Sequence, residues 1–219
     1  MVAYALFVAE IIKYHKPSNY QTWELVKPPK GHKIVAYKWV FKKKEGTTRV
    51  EASRFKALLV VKGYIQREGI DFNEAFSSVL RHSSIHVMLA MVALFDLELE
   101  ELDVNTTFLH GELEEQIYMH QPEGFVIQGK EDHVCLLKKK SLYGLKQSPR
   151  QWYKRFDTFM IGHGYSRSDY NNCVYHRKLL NGSFVYLLLY VDDMLIIAKN
   201  LVEVNKLKTL LNGEFEMKD

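Results

Sequence analysis

The chain has 219 residues, 47% hydrophobic and 13% aromatic, a composition that excludes an intrinsically disordered protein and suffices for one large domain or two subdomains sharing an interface. Its 30 Lys and Arg outnumber its 26 Asp and Glu by only four charges, so global charge does not mark a nucleic-acid binder and local clusters must carry any such argument. Two cysteines, Cys135 and Cys173, lack metal-ligand spacing, which excludes a disulfide framework and fits free thiols in a reducing compartment.

No apolar run reaches the roughly 20 residues that span a bilayer. The apolar stretch Val2-Ala3-Tyr4-Ala5-Leu6-Phe7-Val8-Ala9 has neither a basic region before it nor a cleavage site after it, so an intracellular protein, not a secreted one, is expected. Residues 1–32 are read as an N-terminal helix or arm ending in the turn Pro28-Pro29-Lys30-Gly31. Residues 34–44 and 53–62 then have strand character on either side of Glu45-Gly46-Thr47-Thr48, and their lysines and arginines suit a solvated edge hairpin. Ser83-Ser84 followed by Ile85, Met88, Leu89, Val92 and Phe95 predicts a capped helix with one apolar stripe. Residues 97–104 form a further strand-like run that ends at Asp103.

Glu112-Leu113-Glu114-Glu115-Gln116-Ile117-Tyr118-Met119 starts acidic and turns apolar, which predicts a surface helix passing into a strand. The next block is basic, Leu137-Lys138-Lys139-Lys140 through Arg150, and Tyr143, Trp152 and Tyr153 interleave with Lys146, Arg150, Lys154 and Arg155. Cations beside aromatic rings suit a nucleic-acid backbone, although a lysine run is also an ordinary solvated face. Pro149 fits the first turn of a helix whose buried side is Trp152, Phe156, Phe159 and Met160, with Gly162 and Gly164 ending it. A strand over 173–179, the turn Asn181-Gly182 and a second hairpin make a three-strand meander. Asn200-Leu201-Val202-Glu203 then starts a helix with Val204, Leu207 and Leu211 inward.

The second hairpin poses the chemical question. In Tyr186-Leu187-Leu188-Leu189-Tyr190-Val191-Asp192-Asp193-Met194-Leu195-Ile196-Ile197 two carboxylates interrupt an otherwise apolar run. A plain hairpin turn accounts for one such pair. If the strand ending at Asp103 lies beside the hairpin, three carboxylates meet at one sheet end, an oxygen-only set suited to Mg2+. Such a set serves two-metal phosphoryl transfer, in polymerases, nucleases and phosphatases alike.

Tyr190-Val191-Asp192-Asp193 resembles the signature of reverse transcriptases, and the chain from about Trp23 to Asp219 resembles the reverse transcriptase domain of copia-type long-terminal-repeat retrotransposons. The blocks that carry the likeness, in order, are Lys38-Trp39-Val40-Phe41-Lys42, Phe55-Lys56-Ala57-Leu58-Leu59-Val60-Val61-Lys62-Gly63, Gly69-Ile70-Asp71-Phe72, Asp103-Val104-Asn105-Thr106-Thr107-Phe108-Leu109, Gln121-Pro122-Glu123-Gly124-Phe125 and Ser141-Leu142-Tyr143-Gly144-Leu145-Lys146-Gln147-Ser148-Pro149-Arg150-Gln151-Trp152.

The resemblance implies an α+β fold with the fingers and palm of a right-hand polymerase, an antiparallel palm sheet with packed helices, and a thumb lying beyond Asp219. It assigns residues 1–32 to an arm, 33–98 and 111–149 to fingers, and 99–110 and 150–219 to an incomplete palm. It implies RNA-directed DNA polymerisation, in which deoxynucleotides are transferred to a primer 3′-hydroxyl on an RNA or DNA template. Two Mg2+ ions, with Mn2+ as a substitute, would be held by Asp103, Asp192 and the carbonyl of Val104, and Asp193 would support them. Nucleotide contacts would come from Lys56, Phe108, Tyr143, Gly144 and Ser148, and nucleic-acid contacts from Lys146, Gln147, Arg150 and Tyr190. Phe108 under the sugar would reject a 2′-hydroxyl. The partners implied are the thumb and ribonuclease H regions of a parent polyprotein, in a cytoplasmic virus-like particle or the nucleus, with no membrane. The sequence departs from the family at Leu58, where relatives carry Arg, a forked phosphate donor, and at Ser78 and His86, where they carry Pro and Arg. Those departures leave open an inactive remnant that keeps the fold and nucleic-acid binding, and an unrelated acidic metal nuclease remains a further alternative.

Overall fold

The computed structural model describes residues 23–44, 54–138 and 140–218. Residues 1–22 of the arm expected over 1–32 and the turn Glu45-Gly46-Thr47-Thr48 lie outside them. In chain order the elements are β1 (Trp23–Val26), β2 (Ile34–Val35), β3 (Tyr37–Lys44), β4 (Arg54–Val61), α1 (His82–Phe95), β5 (Glu98–Val104), β6 (Tyr118–His120), β7 (Val134–Leu137), α2 (Ser148–Gly162), β8 (Ser166–Ser168), β9 (Asn171–Lys178), β10 (Phe184–Tyr190), β11 (Asp193–Ala198), α3 (Leu201–Asn212) and β12 (Met217–Lys218). This is a mixed α and β fold. The contacts divide it into two compact units, one of residues 1–75 and 112–148, the other of 76–111 and 149–219.

The first unit contains the sheet β1-β7-β6-β2 and the antiparallel ribbon β3-β4. The segment expected as part of an arm supplies β1, which pairs antiparallel with β7. The acidic stretch after Gly111 forms no helix: Leu113, Ile117, Tyr118 and Met119 are buried, and a Glu115 carboxylate oxygen accepts from the Asn73 amide at 3.3 Å. Burial of these apolar residues overrides the helix propensity of the glutamates.

The loop before α2 is seated on β4 by a close backbone approach. The Val61 amide donates to the Tyr143 carbonyl at 2.8 Å, and glycines face each other there, Gly63 with its Cα toward the Gly144 carbonyl and Gly144 with its Cα toward the Val61 carbonyl. Inside the same unit the side-chain amide of Gln147, fully buried, accepts from Gln66 Nε2 at 3.1 Å and donates to a Glu115 carboxylate oxygen at 3.3 Å. Ser148, also buried, donates to the Leu142 carbonyl at 2.6 Å.

The second unit is built on the sheet β12-β5-β11-β10-β9-β8. Alternation along its strands divides two cores. Leu102, Val104, Leu187, Leu189, Met194 and Ile196 pack with α2 and α3 on one face, whereas Leu188 and Ile197 pack with Ile85, Met88 and Val92 of α1 on the other. The expected meander of β9, β10 and β11 is present with its turn at Asn181-Gly182.

Helix α1 differs in detail from expectation. Its N-cap is Arg81, extended and without a side-chain cap, so Ser83 and Ser84 lie inside the first turn. Leu89 and Phe95, expected on the buried stripe, are 41% and 65% exposed. Helix α3 follows expectation: Asn200 Oδ1 accepts the Glu203 amide at 3.1 Å, and Val204, Leu207 and Leu211 are buried. Helix α2 closes as a Schellman motif, with Tyr165 N donating to Met160 O at 3.1 Å, Gly164 N to Ile161 O at 3.0 Å, and Gly164 at φ +78°.

One ion pair locks β8 to α2. Asp157, 8% exposed, accepts Arg167 Nε at 2.5 Å and Nη2 at 2.6 Å, and the Tyr175 hydroxyl at 3.1 Å. Removing Arg167 leaves a carboxylate in the core with one neutral partner. Such breaks cost about 3–5 kcal/mol when fully buried, and because the Arg167 side chain is 47% exposed water reaches the gap. We expect Arg167→Ala to cost about 2 kcal/mol by chemical denaturation. The double variant Asp157→Leu, Arg167→Met should be more stable than Arg167→Ala alone.

Cys135 and Cys173 are buried free thiols. Burial pushes the first up to about 12 and the second to about 11, the latter helped by the Asp157 carboxylate. Since the thiolate is the nucleophile, native protein at pH 8 should resist iodoacetamide, with both residues alkylated only after unfolding, as read by mass spectrometry. Among the described residues no helix is long and apolar enough to cross a membrane.

Candidate active site

Alternation along β5 sets the site. Leu102 and Val104 point into the core that packs on α2 and α3, so Asp103 between them faces the opposite side. On β11 Met194 and Ile196 point into the same core, and Asp193 likewise faces away. The β5–β11 register puts Asp103 directly opposite Asp193. Two carboxylates therefore share one face at the end of the sheet, where like charges in direct opposition destabilise a ladder. Asp103 is half-buried and Asp193 exposed.

Asp192 belongs to the two-residue turn between β10 and β11. Tyr190 pairs with Asp193, leaving Val191 and Asp192 as the central residues, with Val191 at φ +60°. A positive φ at the first central position suits Gly, and a β-branched residue there is a genuine outlier. External bonds hold the turn. Trp152 Nε1 of α2 donates to the Val191 carbonyl at 2.7 Å, and the Val104 amide of β5 donates to the Asp192 carbonyl at 3.0 Å. The hydroxyl of Thr107, itself buried, donates to the Val104 carbonyl at 2.9 Å.

The structure thus brings Asp103, Val104, Asp192, Asp193 and Tyr190 to one end of one sheet. Phe108 lies in the 3-10 turn Thr107–His110 that follows β5 and packs, half-buried, against the α2 and α3 core. Tyr190 is 43% exposed.

The other expected site residues divide between the units. Arg150 is in the same unit as the carboxylates, its guanidinium donating to the Phe76 carbonyl at 3.5 Å. In the other unit Lys56 stands opposite Lys42 in the β3–β4 ribbon. Tyr143 and Gly144 form the loop seated on β4, and Gln147 and Ser148 are occupied by the internal hydrogen bonds given above. Lys146 is exposed, its ammonium 5.1 Å from the centre of the Phe72 ring and donating to the Gln66 carbonyl at 3.2 Å. Leu58, in the family position of Arg, pairs with Val40 and is half-buried.

A divalent ion fits the chemistry of this donor set, which is oxygen alone. Among the described residues no group of three or more His, Cys, Asp or Glu side chains is placed to hold a metal ion by itself. Mg2+ is ordinarily held by one or two carboxylates with water and substrate phosphates completing its shell.

Two contributors escaped the sequence reading, Trp152 and Thr107. The sequence places Trp152 among the aromatics of the basic block and on the buried face of its helix, yet a buried indole N–H needs an acceptor, and that requirement is the available signal. Nothing in the sequence marked the Thr107 hydroxyl.

Residues 20–219 match the family model described as reverse transcriptase (RNA-dependent DNA polymerase). The chain is 52% identical over 199 residues to the retrovirus-related Pol polyprotein from transposon TNT 1-94 of Nicotiana tabacum, covering 90% of this chain and 15% of that protein. It is 40% identical over 201 residues to the corresponding polyproteins from transposons RE2 and RE1 of Arabidopsis thaliana, again covering 90% of this chain and 14% and 13% of theirs. The chain therefore spans about one-seventh of the length of these curated relatives.

Proposed function

Because the chain belongs to the reverse transcriptase family, of the copia type carried in transposon Pol polyproteins, we propose that it is the catalytic core of an RNA-directed DNA polymerase acting by two-metal nucleotidyl transfer. The supporting observation is the opposition of Asp103 and Asp193 beside the Val191-Asp192 turn, an arrangement that costs stability and calls for a bound counter-charge.

Residues 99–110 and 150–219 are the palm and 33–98 and 111–149 the fingers in this reading. Asp103, Asp192 and the Val104 carbonyl would hold two Mg2+ ions, or Mn2+ in their place, with Asp193 in support. When bound, such ions activate a primer 3′-hydroxyl and neutralise charge on the transferred phosphate. The protein's part is positioning and electrostatics, because phosphoryl transfer asks little covalent work of it. Phe108 would lie under the nucleotide sugar and disfavour ribonucleotides. Lys56, Tyr143 and Gly144 would line the nucleotide, with Ser148 and Gln147 holding that loop in shape. Lys146, Arg150 and Tyr190 would track the template and primer, with affinity that falls as salt rises. Thumb and ribonuclease H segments of a parent polyprotein would complete the assembly.

The test is primer extension by this chain substituted for the matching residues of the tobacco polyprotein, the parent serving as control. Metal-dependent incorporation of deoxynucleotides that Asp192→Asn abolishes supports the proposal. Incorporation that survives Asp192→Asn rejects it.

A further inference from the structure

The turn that carries Asp192 is held in an unfavourable conformation by groups outside its own hairpin. Val191 sits at φ +60°, a conformation that costs a β-branched residue free energy and persists only where the surroundings over-determine it. The two central carbonyls of the turn are each bound from a different element: Val191 O by Trp152 of α2 at 2.7 Å, and Asp192 O by Val104 N of β5 at 3.0 Å. The Val104 bond ties Asp192 to the strand that carries Asp103. The Trp152 bond orients the peptide between Val191 and Asp192, and hence the Cα–Cβ direction of Asp192.

The indole itself has little freedom. Trp152 is 2% exposed, and its ring packs between His110, Phe156 and Phe215 at centroid separations of 5.9, 5.5 and 5.3 Å. His110 closes the 3-10 turn that also carries Phe108, so one ring braces both the carboxylate turn and the segment after Asp103. A donor locked this way is pre-organised, and positioned groups of this kind control catalysis through distances of tenths of an ångström.

We infer that Trp152 is a positioning residue for the carboxylate site: its Nε1–H clamps the carbonyl of the left-handed Val191 and holds Asp192 in the turn that the Val104 amide ties to the strand of Asp103. The inference deepens the proposed polymerase function and rests on it for its kinetic arm, while its structural arm stands without activity. Glycine adopts a positive φ without assistance, so the clamp becomes dispensable when Val191 is glycine. That relation separates a clamp from a generic packing role.

The variant to test is Trp152→Phe, which keeps a large ring and removes the donor, in the wild-type and Val191→Gly backgrounds, assayed in the tobacco polyprotein chimera. Hydrogen exchange of the Val104 amide, whose acceptor is the Asp192 carbonyl, should accelerate about ten-fold in Trp152→Phe, and kcat for incorporation should fall about ten- to a hundred-fold with KM for primer–template unchanged. In Val191→Gly both effects should shrink to less than about three-fold. The clamp is rejected if Val104 exchange is unaltered, if KM rather than kcat moves, or if the effects are as large with Val191→Gly as without. A chimera that incorporates no nucleotide rejects the polymerase reading, and the exchange measurement then still decides on the clamp. Should Trp152→Phe fold poorly, Trp152→His, which can keep a ring N–H donor, is expected to retain slow Val104 exchange, and fast exchange in that variant also rejects the clamp.

Discussion

Asp192→Asn and Asp103→Asn are each expected to lower incorporation by about 10³-fold or more while leaving the fold as stable as before or more so. The loss follows from removing fixed negative charge where divalent ions and a triphosphate must be held, since single preorganised electrostatic groups are worth about 10²–10³ in kcat and metal retention falls with them. The gain in stability follows from the ladder. Asp103 and Asp193 face each other across β5 and β11, and like charges in that relation cost roughly 0.2–1 kcal/mol. Neutralising either Asp103 or Asp193 removes the repulsion, so thermal unfolding should shift upward by a few degrees at low ionic strength, less at high salt. Opposite signs for activity and stability identify carboxylates retained for chemistry, because those serving only as turn or strand-end residues would lose little on either scale. Asp193→Asn should stabilise like Asp103→Asn but reduce kcat only about ten-fold, consistent with a supporting charge. Equal losses from Asp193 and Asp192 would exchange their roles.

Apolar runs of strand length made much of the second unit legible in the sequence. They placed β5 and the β10–β11 hairpin, because buried strands advertise themselves through apolar runs that break at polar residues, and left the meeting of Asp103 with the aspartate pair conditional on the strand pairing that the structure shows. The cap at Asn200 was equally plain, as its side chain acts within three residues of itself. Tertiary decisions were hidden. Glu112 to Met119 has a helical beginning, but the apolar residues that follow are drawn into the first unit's core. Gln147 and Ser148 read as polar contacts in a basic loop, and the structure spends them inside it, on Gln66, Glu115 and Leu142. The backbone state of Val191 was invisible for a different reason. Turn chemistry leads one to expect Gly or Asn at a positive φ, and what permits valine is an indole 39 positions away. The ordered blocks of Lys38 to Trp152 carried the family assignment, whereas composition contributed little, since the net charge of +4 is ordinary for a protein of this size.

Gly144→Ala should be the most damaging single methyl in the first unit. Gly144 has φ +92°, and a Cβ there would stand 2.8 Å from Val60 Cγ1 and 3.0 Å from the Val61 carbonyl carbon, with the carbonyl oxygen closer still. Backbone cannot retreat as a flexible side chain can, so the loop must lift from β4. Lifting breaks the bond from Val61 N to Tyr143 O at a residue only 2% exposed. An unsatisfied buried amide costs about 1–3 kcal/mol, and backbone strain at a positive φ adds about 1–3 kcal/mol. The expected loss in denaturant unfolding is about 3–5 kcal/mol, a large share of the 5–15 kcal/mol typical of native domains. Gly63→Ala meets the Gly144 carbonyl from the opposite side and should cost nearly as much at an ordinary φ, which makes it a purely steric probe. Gly164→Ala supplies the complementary control: φ is +78° with nothing within 4 Å of the added methyl, so only conformational strain of about 1 kcal/mol remains. If Gly144→Ala costs no more than Gly164→Ala, the seat on β4 yields to a methyl group, and Gly144 is then required only for its conformation. A cost several-fold larger, matched by Gly63→Ala, means that the two glycines are fixed by the distance between two backbones, and that the loop of Tyr143 owes its position to that contact.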